Sequence, residues 1–268
     1  MRDFSQRTVV ITGAGSGIGR ALAVQLAQRG ADVALVDVNA EGLAETAAMI
    51  KTRVSTYTVD VSDRAAMEAL PERVLAEHGR IDVVINNAGV TVTGTFEEQS
   101  VEDFEWLFGI NWWGVVYGCK FFLPALKRSD DAYIVNLSSM FGLVGVPRQT
   151  SYCATKFAVR GFSEALAAEL AQTSVRVLSV HPGGISTNIV SSARFLGDSA
   201  GTKAKATSMF KKFMPPTTAA EHIIKAMTNK RERLLITRET YGLDAIKRVF
   251  PTINSRVLSW AERMIAKR

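Results

Sequence analysis

Short apolar runs rich in β-branched residues alternate with segments of helical hydrophobic periodicity from the first residues to about position 181. This alternation predicts a series of βαβ units. Because several runs are almost wholly apolar, we expect their strands to be covered on both faces, as in a parallel sheet. The predicted strands are 8–12, 32–37, 54–59, 82–86, 133–137, 175–181 and 234–236. The predicted helices are 18–29, 40–50, 64–78, 101–126 with breaks, and 151–172.

Seven strands separated by helices predict a Rossmann-type α/β fold, in which helices cover both faces of a doubly wound, seven-stranded parallel sheet. The 268 residues are interpreted as a single domain, since one well-buried core fits a chain of this length. Residues 188–217 interrupt the alternation with serines, glycines, lysines and two prolines. A connection this long in a compact domain predicts a substrate lid. Residues 240–268 are predicted to form a basic helical extension.

The composition is that of an ordinary globular chain, with 47% hydrophobic and 22% charged residues. No apolar run of 18 residues exists, the uncharged stretch 108–119 is too short to span a bilayer, and the first residues lead directly into a strand without a signal segment. We therefore expect a soluble protein of the cytoplasm. Two cysteines and three scattered histidines provide neither a disulfide framework nor zinc-ligand spacing, so no metal site is predicted.

The net charge of +6 is concentrated in residues 201–268, which hold 15 basic and 5 acidic side chains. These basic residues are spread widely and lack the repeating motifs of nucleic-acid binders, so no nucleic-acid partner is expected. Two interpretations of the last segment stay open. Its apolar residues pack on a neighbouring subunit or beside the pocket, which we favour, or they lie on an anionic membrane surface. These residues are Leu243, Ile246, Val249, Phe250, Ile253, Val257, Leu258, Trp260 and Ile265.

A glycine-rich turn follows the first predicted strand. The pattern T-G-x-x-x-G-x-G fits from Thr12 to Gly19, whereas neither G-x-G-x-x-G nor a Walker loop can be placed on these residues. Glycines allow backbone N–H groups to approach a pyrophosphate at the positive end of a helix. A purely structural turn is the alternative. The candidate cofactor-binding residues are Gly13, Gly15, Ser16, Gly17, Ile18 and Gly19.

Asp37 stands twenty residues after Gly17, at the end of the second predicted strand. A carboxylate at this place accepts hydrogen bonds from both hydroxyls of an adenine ribose and repels a 2′-phosphate. Ser16, Val38 and Asn39 offer no compensating positive charge. The sequence therefore favours NAD over NADP as cofactor. The alternative is an aspartate that caps the next helix.

Further motifs follow the later strands: Asn86-Asn87-Ala88-Gly89, Asn111 within a helix, Ser138-Ser139, and Tyr152-x-x-x-Lys156. With them the chain resembles the short-chain dehydrogenase/reductase family in its single-domain branch, over roughly residues 8–187. The resemblance implies an enzyme that binds a nicotinamide cofactor and forms dimers or tetramers. It adds these cofactor-binding residues: Asp60, Val61, Asn87, Ala88, Gly89, Pro182, Gly183, Ile185 and Thr187.

The same resemblance implies four catalytic residues. Tyr152 is the general acid/base, Ser139 holds the substrate oxygen, Lys156 binds the nicotinamide ribose, and Asn111 supports a water-linked proton relay. Ser139 is preferred to Ser138 because the catalytic serine of the family lies thirteen residues before the tyrosine. Tyr152 and Lys156 also contribute to cofactor binding.

The residues themselves agree with this chemistry. Hydride transfer leaves charge on the carbinol oxygen, so a proton must move to or from that oxygen. Tyr152 and Lys156 are four residues apart and share one helix face, where the ammonium stabilises a phenolate. We expect the site to lower the pKa of Tyr152 from about 10 to about 7–8. Ser139 is expected to stabilise the oxyanion. Taken singly, a Tyr/Lys pair at this spacing is usually a surface pair, and two serines at a strand end usually cap a helix or a turn.

Other side chains receive structural interpretations. His181 is expected to be a hydrogen-bonded residue at a strand end, and Cys153 is expected to be a small structural residue. Helix packing or an oligomer face is expected for Trp106, Trp112 and Trp113. The apolar residues that follow Ser139 and populate the lid predict a roomy pocket for a lipophilic substrate, although half of them are equally suited to the core. They are Met140, Phe141, Leu143, Val146, Ile189, Val190, Phe195, Met209, Phe210, Phe213 and Met214.

Together these features predict an NAD-dependent oxidoreductase that transfers a hydride between a lipophilic secondary alcohol or ketone and the nicotinamide. An NADP-dependent carbonyl reductase is one alternative. An epimerase or dehydratase is another, but few residues remain after Thr187 for a sugar-nucleotide domain. A dinucleotide-sensing protein without catalysis would be expected to have a damaged tetrad, and here it is intact. A peripheral membrane-associated dinucleotide-binding protein is the last alternative.

Overall fold

The computed structural model describes residues 3–189, 192–197, 208 and 213–251. Its strands are β1 (Thr8–Thr12), β2 (Asp32–Asp37), β3 (Val54–Thr58), β4 (Val83–Asn86), β5 (Val92–Thr93), β6 (Ala132–Leu137), β7 (Val175–Pro182), β8 (Arg194–Phe195) and β9 (Arg233–Ile236). Its α-helices are α1 (Gly17–Ala27), α2 (Ala40–Ala48), α3 (Arg64–His78), α4 (Val101–Phe108), α5 (Gly114–Leu126), α6 (Thr150–Leu170), α7 (Pro216–Thr228) and α8 (Arg238–Val249).

Seven strands form one parallel sheet in the order β3-β2-β1-β4-β6-β7-β9. The chain moves outward from β1 to β3 and then returns to place β4 on the other side of β1, as in a doubly wound fold. This confirms the predicted fold class, and the strand ends agree with the predictions to within one residue. The carboxyl ends of β1 and β4 are adjacent at the point of reversal, where such sheets bind ligands.

Hydrophobic residues at alternate positions of the central strands enter two cores. On one face, Val9 of β1 packs in a cluster with Leu22 of α1 and Ile223 of α7. On the other face, Val10 packs in a cluster with Phe122 of α5 and Val159 of α6. Because side chains of successive strand residues point to opposite faces, a wholly apolar strand supplies both cores.

Two features were not predicted. β5 and β8 pair in a separate two-stranded parallel sheet, and strands of two residues are too short to show a hydrophobic period. The predicted helix 101–126, expected with breaks, is interrupted by a π-helical turn, Gly109–Trp113, that joins α4 to α5 and that the pattern did not indicate. Such turns occur often at functional sites, and this one contains Asn111.

The predicted lid and C-terminal extension are described only in part. Ile189, Phe195, Phe213 and Met214 are described, whereas Val190, Met209 and Phe210 lie outside the described residues. In the extension, α8 ends at Val249, just before Pro251. The predicted apolar residues Ile253, Val257, Leu258, Trp260 and Ile265 also lie outside the described residues.

Candidate functional site

The glycine turn connects β1 to α1 through backbone conformations and contacts that favour glycine. Gly13 and Gly17 have φ angles of 66° and 54°. A Cβ on Gly13 would lie 2.9 Å from the Ala88 Cα, and a Cβ on Gly19 would overlap the Gly13 carbonyl oxygen. Within the described residues, Ser16 at the start of α1 makes no side-chain capping bond. The first turn of α1 therefore suits an anion such as a pyrophosphate, and Ile18 lies in this turn.

Asp37 lies beside the glycine turn at the end of β2. Its Oδ2 accepts a hydrogen bond from the Gly15 N–H at 2.9 Å, and its Oδ1 accepts one from the Asn39 N–H at 3.0 Å. Asn39, not Asp37, caps α2, because the Asn39 side chain accepts from the Gly42 N–H at 3.0 Å. Each carboxylate oxygen of Asp37 retains acceptor capacity for a ribose hydroxyl.

Arg20 is a charged neighbour that the sequence interpretation missed. Its guanidinium donates to the Gly15 carbonyl oxygen and to Thr46 Oγ1, and it forms an ion pair with Glu45 at 2.6 Å. The positive charge nearest in sequence to the turn is therefore engaged by Glu45. Only the helical position of Arg20, one turn after Ser16, could have indicated this contact.

The Asn-Asn-Ala-Gly segment after β4 is joined to the glycine turn. Thr12 Oγ1 accepts hydrogen bonds from the Asn87 and Ala88 N–H groups at 3.0 and 3.1 Å. The Asn87 amide donates to the carbonyl oxygens of Thr12 and Gly13 at 2.9 and 3.1 Å. Asn87 thus connects β4 with the β1 turn, a structural role additional to the cofactor contact predicted for it. After β3, Asp60 Oδ1 accepts from the Ser62 hydroxyl, and Val61 is buried.

Ser139, Tyr152 and Lys156 meet at the carboxyl end of β6. Ser139 Oγ accepts from the Phe141 N–H at 3.1 Å, and Lys156 Nζ donates to the Leu137 carbonyl oxygen at 2.8 Å. The Lys156 ammonium lies 5.6 Å from the centre of the Tyr152 ring. Both side chains lie on one face of α6, as their spacing predicts.

Burial acts on both titratable groups of this pair. Burial raises the pKa of Tyr152 to about 12, while the Ser139 hydroxyl acts in the opposite direction. Burial lowers the pKa of Lys156 to about 8. The expectation of a lowered tyrosine pKa is therefore not met in this structure, because removal of the phenolate from water outweighs the partners around it.

Asn111 lies between α4 and α5 and is fully buried. Its Oδ1 accepts from the Val90 N–H at 2.8 Å, and its Nδ2 donates to the Val90 carbonyl oxygen at 2.9 Å. A Cβ on Gly89 would lie 3.2 Å from Asn111 Oδ1 and 3.5 Å from Lys156 Nζ. The absence of a side chain at Gly89 leaves space between the two polar groups, where the predicted proton relay would run.

The segment after β7 borders the same site. Thr187 Cγ2 lies 3.3 Å from the position of a Cβ on Gly17, so this segment contacts the glycine turn. Pro182 ends β7, the Gly183 N–H donates to the Ile236 carbonyl oxygen at 3.1 Å, and Ile185 is buried. The structure thus brings this segment and the β1 turn to one crevice.

His181 is hydrogen-bonded on both ring nitrogens. Nδ1 donates to the Ser139 carbonyl oxygen at 3.2 Å, so Nε2 accepts from the Ser179 hydroxyl at 3.0 Å. Burial lowers the pKa of His181 to about 4, which keeps the ring neutral at pH 7. This confirms the expected hydrogen-bonded strand-end residue. The contact with Ser139 was not foreseen, since it joins residues forty-two positions apart.

An apolar cluster surrounds Tyr152. Its buried members are Val92, Leu107 and Tyr152, and its half-buried members are Val90, Trp106, Phe141, Ile189 and Leu196. Of the predicted pocket residues, Phe141 and Ile189 belong to it, whereas Met214 packs on the sheet core and Leu143 is buried elsewhere.

Trp112 and Trp113 are not members of this cluster. Trp112 contacts Phe162 edge-on, and Trp113, 47% exposed, stacks on Tyr117. Cys119 and Cys153 are free and buried, and burial raises the pKa of both thiols. Among the described residues, no group of His, Cys, Asp and Glu could hold a metal ion. In that same part of the chain, no helix is long and apolar enough to cross a membrane.

Comparison with known proteins identifies the family. The short chain dehydrogenase family profile matches residues 7–195. The chain belongs to the short-chain dehydrogenase family. It is 38% identical over 265 residues to the putative oxidoreductase SadH of Mycobacterium tuberculosis, covering 97% of this chain and 96% of the relative. It is 40% identical over 187 residues to the meso-2,3-butanediol dehydrogenase of Serratia marcescens, covering 69% and 74%.

Solved structures of the family agree with this fold. A short chain dehydrogenase/reductase of Burkholderia phymatum, solved in complex with NAD, matches with a TM-score of 0.86 and 29% identity over 92% of this chain and 95% of that one. The chain is therefore an oxidoreductase of the short-chain dehydrogenase type that binds a nicotinamide cofactor and acts on small molecules. The glycine turn, whose close contacts exclude side chains, fits such a cofactor.

Proposed function

We propose that this protein is an NAD-dependent oxidoreductase that interconverts lipophilic secondary alcohols and their ketones. The observation that carries the proposal is the meeting of Ser139, Tyr152 and Lys156 at the crevice that the glycine turn borders. The nicotinamide cofactor supplies hydride transfer when bound. What remains for the chain is to move one proton and to stabilise charge on one oxygen.

Tyr152 is the proposed general acid/base. During alcohol oxidation its phenolate accepts the hydroxyl proton, and during ketone reduction its hydroxyl returns that proton. Because burial alone raises the pKa of Tyr152 to about 12, the phenolate needs a nearby cation. Lys156 lies on the same helix face and is proposed to supply that charge and to bind the nicotinamide ribose.

Ser139 is proposed to donate a hydrogen bond to the reacting oxygen. Its Oγ accepts from the Phe141 N–H, so its own proton is directed elsewhere. Its carbonyl oxygen is held by His181, which fixes the backbone that carries this hydroxyl. Asn111, anchored on both sides of its amide to Val90, is proposed to hold the water-linked relay beside Gly89 and Lys156.

Asp37 supports the choice of NAD over NADP. Its carboxylate lies against Gly15, where it would accept ribose hydroxyls and repel a 2′-phosphate. Arg20 pairs with Glu45 and thus does not offset this repulsion. An NADP-dependent carbonyl reductase would need such an offset.

The preference for lipophilic substrates is supported by the apolar cluster around Tyr152. Trp106, Phe141, Ile189 and Leu196 are only partly buried there and leave apolar surface beside the proposed acid/base. A homodimer or homotetramer and a cytoplasmic location complete the proposal. Oligomers are common in this family, and the two free cysteines suit a reducing compartment.

Tyr152→Phe tests the proposed mechanism. The variant retains the ring that packs against Phe141 but cannot transfer a proton, so we expect kcat to fall about 10²- to 10⁴-fold. Binding of NADH, followed by quenching of tryptophan fluorescence, should be unchanged. Tyr241→Phe, on the exposed face of α8, is the matched control. A Tyr152→Phe variant within fivefold of wild type would refute the mechanism.

The substrate class is tested on the wild-type protein with both NAD and NADP. We expect kcat/KM to rise along a series from 2-propanol to longer secondary alcohols and aryl carbinols. meso-2,3-Butanediol, suggested by the name of one relative, serves as the small polar comparison. A higher kcat/KM for this diol than for the long alcohols would contradict the lipophilic assignment. Faster turnover with NADP would contradict the cofactor assignment.

A further inference from the structure

Residues 192–197 lie beside the apolar cluster as part of the second sheet. The Arg194 N–H donates to the Thr91 carbonyl oxygen at 3.2 Å, and the Leu196 N–H donates to the Thr93 carbonyl oxygen at 2.9 Å. Two-residue strands form few ladder bonds, so this pairing alone gives the segment little support. Side-chain contacts must therefore contribute to its position.

Arg194 provides two such contacts to α4. Its Nη1 lies 2.9 Å from Asp103 Oδ1, and its guanidinium carbon lies 3.7 Å from the centre of the Trp106 ring. Asp103 and Trp106 are three residues apart and therefore share one face of α4. A planar guanidinium can stack on an aromatic ring and pair with a carboxylate at the same time, which an ammonium does less well.

The carboxylate that receives Arg194 is itself fixed. Asp103 Oδ2 accepts from the Ser100 N–H at 3.3 Å, and the Asp103 N–H donates to Ser100 Oγ at 3.2 Å. This capping box at the start of α4 leaves Oδ1 directed at the arginine. The Asp103 side chain is only 12% exposed, so the pair is partly shielded from solvent.

Leu196 is the residue that this arrangement places. Leu196 follows β8 directly, and its N–H bond to Thr93 fixes its backbone beside β5. Leu196 belongs to the cluster that contains Tyr152, Trp106 and Phe141, and its Cβ lies 2.9 Å from the position of a Cβ on Gly94. Leu196 therefore packs closely over the Gly94 backbone, beside the residues that surround Tyr152.

The partner strand is anchored to the helix that carries Tyr152. Gln149, which precedes α6, donates to Thr93 Oγ1 at 2.8 Å and accepts from Thr91 Oγ1 at 2.9 Å. The second sheet is thus joined to α6 through Gln149 and to α4 through Arg194. Leu196 is held between the two helices, beside the proposed acid/base.

We propose that Arg194 is a positioning residue for substrate selection: by binding Asp103 and Trp106, it fixes Leu196 as an apolar wall of the pocket next to Tyr152. The wall contacts the parts of a large apolar substrate that extend beyond the carbinol carbon. This inference rests on the proposed function, since it needs a lipophilic alcohol bound beside Tyr152.

The test compares KM for 4-phenyl-2-butanol, which extends to the wall, with KM for 2-propanol, which does not. In Arg194→Met we expect KM for the aryl alcohol to rise about tenfold, equivalent to about 1.4 kcal/mol of binding, and KM for 2-propanol to stay within twofold. The kcat values and NADH affinity should not change. Arg194→Lys retains the charge and should recover part of the loss.

Arg148→Met is the matched control. Arg148 lies near the same sheet and pairs with Glu98 at 3.4 Å, but the Glu98 carboxylate is 33% exposed, against 12% for Asp103. We expect its KM values to equal those of wild type. Equal KM values in Arg194→Met and wild type, or an equal rise for both alcohols, would overturn the proposal.

A second readout does not require turnover. If wild type oxidises neither alcohol, the proposed function fails, and chymotryptic cleavage after Phe195 or Leu196 still tests the contact. We expect native Arg194→Met to be cleaved at these sites at least several times faster than wild type or Arg148→Met. Equal cleavage rates in all three proteins would show that Arg194 does not hold the segment.

Discussion

The two halves of the candidate site are held by different parts of the chain. On the cofactor side, backbone is packed closely on backbone: a Cβ on Gly13 would lie 2.9 Å from the Ala88 Cα, and a Cβ on Gly19 would overlap the Gly13 carbonyl oxygen. On the substrate side, the second sheet depends on the side chains of Arg194 and Gln149. Backbone contacts tolerate few substitutions, whereas side-chain contacts can change without loss of the fold.

The comparison suggests that the two sides of the site have different roles. In the proposed function, the cofactor side binds the same cofactor in every turnover and can be rigid, whereas the substrate side selects the molecule to be oxidised or reduced. Tyr152, Lys156 and Ser139 stand at the boundary. Substitutions there should affect chemistry most, those on the cofactor side should affect binding or stability, and those on the substrate side should affect KM.

The largest effect is expected at Lys156. In Lys156→Met, oxidation at pH 8 should fall at least about 10²-fold, because the proposed mechanism relies on the Lys156 ammonium to stabilise the buried Tyr152 phenolate. In wild type we expect the oxidation rate to rise with pH through an apparent pKa of the coupled pair that is below 12. In the variant, the rise of the oxidation rate with pH should occur at a higher pH.

The measurement is kcat against pH between 6 and 11. Lys127→Met, which removes an exposed lysine after α5, is the control and should follow the wild-type profile. An unchanged profile in Lys156→Met would mean that the ammonium does not support the phenolate.

A second effect concerns stability in acid. The pKa of His181 is about 4 in the folded protein, below the value of about 6.5 expected when unfolded. Between these values the unfolded chain binds more protons, so stability is present above pH 6.5 and is lost as the pH falls towards 4. The loss amounts to about 3 kcal/mol at the acid end.

Urea unfolding at pH 7.5 and 4.5 measures this loss. His181→Gln should be less stable than wild type at pH 7.5 but should lose less on acidification. His222→Gln, exposed on α7, should retain the wild-type pH dependence. Burial also lowers the pKa of His78, so part of the dependence should remain in every variant. An equal loss in wild type and His181→Gln would contradict the assignment to His181.

Much of the fold could be predicted because apolar strands alternate with helical periods at every step. The seven strands follow directly from runs such as 8–12 and 175–181, since a strand buried on both faces requires such residues. The second sheet could not be predicted. Its strands, Val92–Thr93 and Arg194–Phe195, are joined across about a hundred residues by contacts that leave no local period.

The site shows the same limit. The motifs indicated Tyr152 and Lys156 because a spacing of four places them on one helix face. The pKa of Tyr152 could not be predicted, since it depends on how deeply Val92, Leu107 and Phe141 bury the ring. Arg20, His181 and Arg194 were missed or undervalued for a related reason. Each acts through a contact with a distant segment: Glu45, Ser139 and Asp103, respectively.

Asp37 tests how the cofactor side distinguishes NAD from NADP. In Asp37→Ala, kcat/KM with NAD should fall about 10- to 150-fold, because charge-assisted hydrogen bonds to a ribose contribute about 1.5–3 kcal/mol. The value with NADP should fall less or rise, since the repulsion of a 2′-phosphate is removed. Asp63→Ala, which removes the cap of α3 outside the site, controls for general loss of stability. If the ratio of kcat/KM with NAD to kcat/KM with NADP does not change, Asp37 does not contact the cofactor ribose.

The smallest expected effects come from three glycine-to-alanine substitutions, which compare the rigidity of the two halves. A Cβ on Gly19 would overlap the backbone carbonyl of Gly13, a Cβ on Gly94 would meet the side chains of Leu196 and Glu98, and a Cβ on Gly161 in α6 meets nothing within 4 Å. Gly19→Ala should therefore lower the free energy of unfolding by about 1–3 kcal/mol, lower Tm by several degrees and weaken NADH binding.

Gly161→Ala should raise the free energy of unfolding by about 0.5–1 kcal/mol, since alanine favours a helix interior. Gly94→Ala should change Tm by less than Gly19→Ala but raise KM for the aryl alcohol, because Leu196 can shift where a backbone carbonyl cannot. If Gly94→Ala lowers Tm as much as Gly19→Ala, the substrate side is as rigid as the cofactor side, and the proposed difference between the two halves does not hold.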